Sequence, residues 1–462
     1  MKNRLAILFQ FIFIITFSTL RANPYPDQHY IINGPDSLLR DAGTVHNIAK
    51  SADGQCLQLV DSALTGYIIL RPQQAEESFN RGLPSWNGSA PDLSSSFKVQ
   101  MRFPYGSGWS SWLTVGFWKN NIWSSYGSTS FGDGYVDIDY VKLSRYKSAW
   151  QFAIIFERKS LEYPSPTIHL LSFFVSDSCT TDNVDHTALL NDKPAEIFIP
   201  TTFYHQTSLD PEIGGSICSP TSVSMILRSF DIAVEPVQFA RDTRDPYHGI
   251  FGVWPRVVQN ASEYGVTGYV TRYRSWTQAR DVLAQGGRIA MSVGQPLYGG
   301  HLMMLAGFDD NGNPIVHDPA KSNGYGYQFN KLDLGKSWFD KGGISYTFFL
   351  PDSGTTTLAE PVDLSAILPE SSRLIRSYPN PFNNTTTIKF QVEKAAKINI
   401  SIYNINGQKI TTLLHEYFET GNYSIPWNGT DHEGNSLGSG IYFAIYKTDS
   451  GQTYSTSMHL IK

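Results

Sequence analysis

The chain is 462 residues long with a formal net charge of −5 and 17% charged residues, so no basic surface points to nucleic acid. A chain of this length holds roughly two to four domains, each able to bury its own core. Tyr, Phe, Trp, Gly and Ser are abundant, as in β-rich secreted proteins.

Residues 1–22 read as a secretory signal peptide. Lys2 and Arg4 supply the positive start, residues 5–20 the apolar run, and Leu20-Arg21-Ala22 the cleavage site. The run is short for a spanning helix and carries Gln10, Thr16, Ser18 and Thr19. Export to an oxidising compartment makes the odd cysteine count informative. Of Cys56, Cys179 and Cys218, at least one thiol stays free or joins another chain. Cys56 and Cys179 could pair within the first domain and leave Cys218 over, although spacing alone does not establish a disulfide.

Residues 23–195 predict an all-β sandwich. The runs from Ser96 to Phe103, Tyr135 to Val141 and Trp150 to Phe156 alternate with period two between turn formers. Trp86, Trp109, Trp112, Trp118, Trp123 and Trp150 concentrate here. They fill the sandwich core on one reading; on the other, exposed rings stack on sugars. His29, His46, His169 and His186 are scattered without metal-ligand spacing.

Residues 196–352 change to helices followed by strands, an α+β order. Cys218 opens a predicted helix: Pro220 suits its first turn, and Val223, Ile226, Leu227 and Phe230 repeat at helical spacing. A thiol there lies at the positive end of the helix macrodipole, which favours thiolate. Gly214-Gly215 upstream lets the backbone turn sharply. Helices are predicted from Trp254 to Tyr264, ending at Gly265, and from Thr277 to Leu283 after Ser275. Strands follow over 288–293, 301–308 and 314–317. Asp309-Asp310-Asn311-Gly312-Asn313 forms the hairpin connection between the last two. That fold brings His301 and Asp318 near the same end of a ladder, where residues of matching parity share a face, with the register left open by the sequence. A His with a carboxylate behind it, facing a cysteine at a helix start, is what nucleophilic acyl chemistry requires. His317 is the rival base, but adjacent strand residues face opposite ways. No zinc-ligand pattern, Walker A, HExxH, CxxC or GxSxG motif occurs, so neither metal nor cofactor is expected.

Ser216-Ile217-Cys218-Ser219-Pro220-Thr221-Ser222, Gly300-His301-Leu302 and Asp318-Pro319-Ala320 resemble the C39-like (family 2) papain-fold cysteine peptidases. The resemblance spans the middle domain and implies a papain-like fold. In it Cys218 is the nucleophile, His301 the general base and acid, and Asp318 the orienter. Gln206 matches the oxyanion glutamine of that family. His317 stands where relatives often carry asparagine.

Residues 353–372 read as a linker rich in Thr, Ser, Pro and Glu. Residues 373–462 predict a further set of short strands, an immunoglobulin-like β-sandwich. Tyr378-Pro379-Asn380-Pro381-Phe382, Tyr403-Asn404-Ile405-Asn406-Gly407, Trp427-Asn428-Gly429-Thr430-Asp431 and Ser439-Gly440-Ile441-Tyr442 resemble the type A C-terminal sorting domain of the type IX secretion system. That resemblance implies the type IX secretion machinery as a partner and release or attachment at the cell surface. The expectation is therefore a secreted cysteine peptidase acting on a peptide or protein substrate through a thioester. The alternatives are a silent surface protein binding glycan or protein through the Trp-rich sandwich, and a cell-wall peptide amidase or acyl transferase.

Overall fold

The computed structural model describes residues 27–119, 123, 125–178, 184–351, 375–378, 382–383, 385–392, 394–404, 408–449 and 453–460. The expected signal peptide, the expected linker and Cys179 lie outside them. The described residues are mostly strand with a few short helices, and the chain divides into two compact units, Met1–Thr357 and Leu358–Lys462. Both regions predicted before residue 352 lie in the first unit.

In the first region two sheets share the long strand Tyr140–Arg158. Its beginning pairs with Gly134–Asp137 and Gln73–Ser89, and its end with Ser95–Arg102 and Thr65–Leu70. Period-two alternation sends every second side chain inward, so Phe79, Trp86, Phe97, Met101, Trp150 and Phe173 form one core. Phe173 lies 5.3 Å from Trp150 and 5.7 Å from Phe79 between ring centroids. Trp86, Trp118 and Trp150 are buried, while Trp109, Trp112 and Trp123 are half-buried with Arg102 or Lys98 over a ring face. Cys56 is a free thiol beside His169.

The alternating run from Tyr135 to Val141 is not one strand. The chain reverses at Ile138 (φ 63°) and Asp139, so Val136 pairs with Val141 across a hairpin. Each arm keeps its own alternation, which hides the break from the hydrophobic pattern.

The middle region holds an antiparallel sheet in the order Ile197–Phe198, His301–Phe308, Arg288–Val293, Ile344–Phe349, Thr267–Arg272, with Pro314–His317 also paired to His301–Phe308. The predicted strands have the expected bounds. The helix Trp254–Ser262 stops just before Gly265 (φ 88°), and the Ser275 hydroxyl caps Trp276–Ala284 by accepting from Gln278 N at 3.0 Å. Helices Pro236–Thr243, capped by Glu235, and Lys331–Phe339, capped by Asn330, add to those expected.

Thr267–Arg272 is the last strand of the sheet's main order, and side chains of the first region satisfy its outer edge. Gly268 N donates to Asn87 Oδ1 (2.9 Å), and Asn87 Nδ2 donates back to Gly268 O (3.0 Å). Val270 N donates to Ser85 Oγ at 3.1 Å. Nearby, Arg256 reaches Phe117 O (2.9 Å), and Gln259 reaches Gly88 O (2.7 Å). The Glu263 carboxylate accepts from Ala90 N and from the Trp118 indole.

The second unit has a three-stranded and a four-stranded sheet among its described residues. Ile388, Phe390, Ile398, Ile400, Trp427 and Tyr446 fill one core.

Candidate active site

Cys218 is the first residue of the helix Cys218–Ser229, entered through the turn Gly214–Ser216. Gly214 is needed because a Cβ there would meet Gln206 O at 2.7 Å. The sequence predicts one apolar face, but Ser219 through Leu227 are all buried. The helix hydroxyls therefore need internal partners. Ser219 shares a hydrogen bond with Tyr346 (2.9 Å), Ser222 donates to Leu302 O (3.0 Å), and Ser224 donates to Pro220 O (2.9 Å). The Ser222 bond pins the helix start against the strand that begins at His301, and the Ser219 bond ties it to the strand Ile344–Phe349.

His301 and Asp318 are buried, and His301 Nε2 is 2.7 Å from Asp318 Oδ1. The ladder sets this up: Met304 pairs with His317, so Asp318 falls beyond the paired end with the parity of His301. A register shift at Gly307 (φ 149°) lies within that ladder, and the Ile197 carbonyl leaves no room there for a Cβ. Asp318 also accepts from the Tyr298 hydroxyl (2.5 Å, to Oδ2) and from Ala320 N (3.0 Å). The Tyr298 ring lies against His301 at 4.3 Å.

With Nε2 committed to Asp318, Nδ1 is the ring nitrogen left to act on Cys218. Burial works to lower the His301 pKa. The hydrogen bonds to Asp318 and Cys218 and the charges of both outweigh it and push the imidazole up to about 9. Burial likewise works to raise the Cys218 thiol. The His301 hydrogen bond and charge, with the backbone N–H groups of Leu302 and Ser219, bring it below its ordinary value. Asp318 is also held low, its burial overcome by His301, Tyr298 and Ala320. All three shifts favour the same charge pattern: thiolate, imidazolium, carboxylate.

Gln206 is buried at the start of a short helical turn. Its backbone N–H donates to Pro319 O (2.9 Å) and its Nε2 to Gly214 O (2.9 Å). Gln206 therefore bridges the segment after Asp318 and the turn before Cys218. Nε2 keeps a second hydrogen, and Oε1 is buried without a partner among the described residues.

His317, the rival base, has both ring nitrogens engaged, with Ile199 O (3.0 Å) and Gly326 N (3.0 Å), and stacks on Tyr325. Asp309, in the predicted hairpin turn, accepts from the backbone of Asn311 and Asn313 as an Asx turn does. No group of potential metal ligands forms among the described residues.

Tyr346 comes from the sheet interior. Two other neighbours had no sequence signal. Tyr298 sits in the loop before His301. Asp139, from the first region's hairpin, accepts from Trp254 N at 2.7 Å and so caps the helix Trp254–Ser262. Burial pushes its carboxyl up to about 7 despite that bond.

Residues 198–345 match the family described as Peptidase_C39 like, and residues 376–461 match the secretion system C-terminal sorting domain. Both agree with the resemblances carried by the sequence motifs. The sorting domain marks the chain for export through type IX secretion to the cell surface or beyond. No helix among the described residues is long and apolar enough to cross a membrane. No curated protein sequence matches the chain. Among solved structures, FlgD from P. aeruginosa is 20% identical over 20% of this chain and 77% of its own, with a TM-score of 0.15. PorZ from Porphyromonas gingivalis, a surface component of the type IX secretion system, is 16% identical over 37% and 25%, with a TM-score of 0.16. PorU from the same organism is 11% identical over 94% and 34%, with a TM-score of 0.19. The chain thus spans about a quarter of the PorZ chain and a third of the PorU chain.

Proposed function

We propose that the protein is an exported cysteine peptidase with a papain-like catalytic domain over residues 196–352. The reading is carried by the buried His301–Asp318 pair at 2.7 Å, with Cys218 opening a helix and its thiol drawn below its ordinary value by His301. The Cys218 thiolate attacks a peptide carbonyl, forming a carbon–sulfur bond. His301, as imidazolium, gives its proton to the leaving amine when the carbon–nitrogen bond breaks. Water then attacks the thioester, His301 takes its proton, and the thiolate leaves. Asp318 holds the ring orientation, and Tyr298 holds Asp318. Gln206 Nε2 and the Cys218 backbone N–H are the proposed donors to the tetrahedral oxyanion, a role for which one donor is worth about 10²–10³ in turnover. Export is supported by the sorting-domain match.

The test is digestion of a diverse peptide library by the exported chain, with Cys218→Ala as control. Cleavage by the parent and none by the variant supports the reading. Iodoacetamide modifying native Cys218 no faster than a model thiol would contradict it.

A further inference from the structure

A cavity of about 460 Å³ lies in the first unit, where the two regions meet. Arg81 and Tyr140 line it from the first region, and Arg272, Asp340 and Lys341 from the middle region. Three cations therefore face it. Among the described residues, none of the three has a carboxylate within 4 Å. The lining acid, Asp340, is paired with His186 at 2.7 Å.

The guanidinium groups are held in place by neutral partners. Arg272 is buried, donating to Gly342 O (3.0 Å) and to the Tyr140 hydroxyl (2.6 Å), and its Nε has no partner. Arg81 donates to Asn80 O (2.8 Å) and Leu143 O (3.2 Å). Carbonyl and hydroxyl oxygens orient a guanidinium without cancelling its charge. Asp27 acts on Arg272 and Asp139 on Lys341 only from beyond 4 Å, so a contacting anion would still offset the cost of burying Arg272.

The cavity also has a fixed position relative to the proposed nucleophile. Lys341 Nζ donates to Ser292 Oγ (3.1 Å) and Val293 O (3.3 Å), and Val293 is the ladder partner of His301. Arg272 pairs with Ile344 at the same end of the sheet, on the strand beyond the next one. At roughly 4.8 Å per strand, Lys341 lies near one strand spacing from the His301 strand, and Arg272 near three. An extended peptide covers that range in about two to four residues.

We propose that this cavity is a carboxylate-binding subsite of the peptidase cleft. It takes an acidic side chain, or the C-terminal carboxylate, about two to four residues from the scissile bond. The inference rests on the peptidase reading for its meaning, but its binding can be measured without turnover. A planar carboxylate matches what two guanidinium groups and an ammonium recognise. It also gives the first region a task, since Arg81, Tyr140 and Ser178 supply its share of the lining.

The test uses the full chain carrying Cys218→Ala, titrated calorimetrically with three acetylated peptides of one sequence. One has Glu and a C-terminal amide, one has Gln and a free carboxylate, and one has Gln and an amide. At least one of the first two should bind ten-fold or more tighter than the third, and which one does identifies the source of the carboxylate. Lys341→Gln and Arg81→Gln should each remove that preference, and Lys341→Arg should keep it. Equal binding of all three peptides, no binding, or a preference surviving both Gln variants overturns the subsite. Parallel digestion with the parent separates the two readings. Cleavage without acid preference removes the subsite alone, while acid-selective binding without cleavage of any peptide removes the peptidase and leaves the subsite.

Discussion

Between its two sheets the first region buries Phe79, Trp86, Phe97, Trp150 and Phe173, whereas the middle region buries His301, His317, Asp318, Arg256 and Arg272 with several serine and threonine hydroxyls. The first interior is held by area removed from water, which is non-directional and tolerates changes of shape. The second has an apolar core too, with Trp276, Met303, Phe308 and Trp338 in it, and adds a denser set of buried donors and acceptors around the site. Each is costly to orphan, because a buried polar group without its partner loses hydration and gains nothing. A substitution that keeps volume but removes polarity should therefore be mild in one region and severe in the other.

The sharpest break falls at the thiol. Cys218→Ala should cut turnover by roughly 10⁶-fold, with an unchanged circular dichroism spectrum showing that the fold survives. Next comes Asp318→Asn, for which a loss of roughly 10⁴-fold is expected. The pH profile carries more information than the rate. The folded His301 pKa of about 9 lies above its ordinary 6.5, so its stabilising contribution is full below 6.5 and disappears as pH rises through 9. In the parent the alkaline limb of kcat/KM should fall near pH 9. In Asp318→Asn it should move toward the ordinary histidine value, and an unmoved limb would remove Asp318 from the pair.

Two matched substitutions test the contrast between interiors directly. Arg256 is buried and donates to Phe117 O, Thr243 O and Arg244 O, with Asp245 at 3.8 Å. Arg256→Met should cost about 3–5 kcal/mol in denaturant unfolding, because it removes the donor to three carbonyls and the cation beside the buried Asp245. Ile154→Val in the sandwich core should cost about 0.5–1.5 kcal/mol. Similar costs for the two would erase the distinction. The remaining effect, at Asp139, appears only as pH rises. Its carboxyl, pushed up to about 7, favours the folded state below its ordinary 3.8, and that contribution is lost as pH rises through 7. Asn can still cap Trp254 but cannot ionise. The Asp139→Asn variant should therefore gain in Tm over its parent between pH 4 and pH 8.

The same contrast explains what was legible in the sequence. Period-two runs announce an apolar core because every inward residue shares one property, so the strand Ser95–Arg102 could be read directly, whereas His301–Phe308 is buried on both faces and was legible as a short apolar run between Gly299-Gly300 and the turn at 309–313. The Cys218, His301 and Asp318 positions were legible because each has a local signature: a helix start, a Gly-Gly turn into a strand, and a hairpin return. Tyr298 and Asp139 have none. Their contacts span 20 residues, to Asp318, and 115, to Trp254, and depend on which loop meets which helix. The reversal at Ile138 was hidden for a related reason, since a left-handed β-branched residue is held there by its surroundings and not by its propensity.

The pairing of Asn87 with Gly268, and of Ser85 with Val270, means that two side chains stand in for a neighbouring strand along Thr267–Arg272. Cut away from the first region, the middle region would carry bare amides and a carbonyl along that margin, a template on which copies can stack. The β-rich portion thus acts as a built-in guard against self-templating, and transplanting the chemistry onto another scaffold would require carrying that guard along.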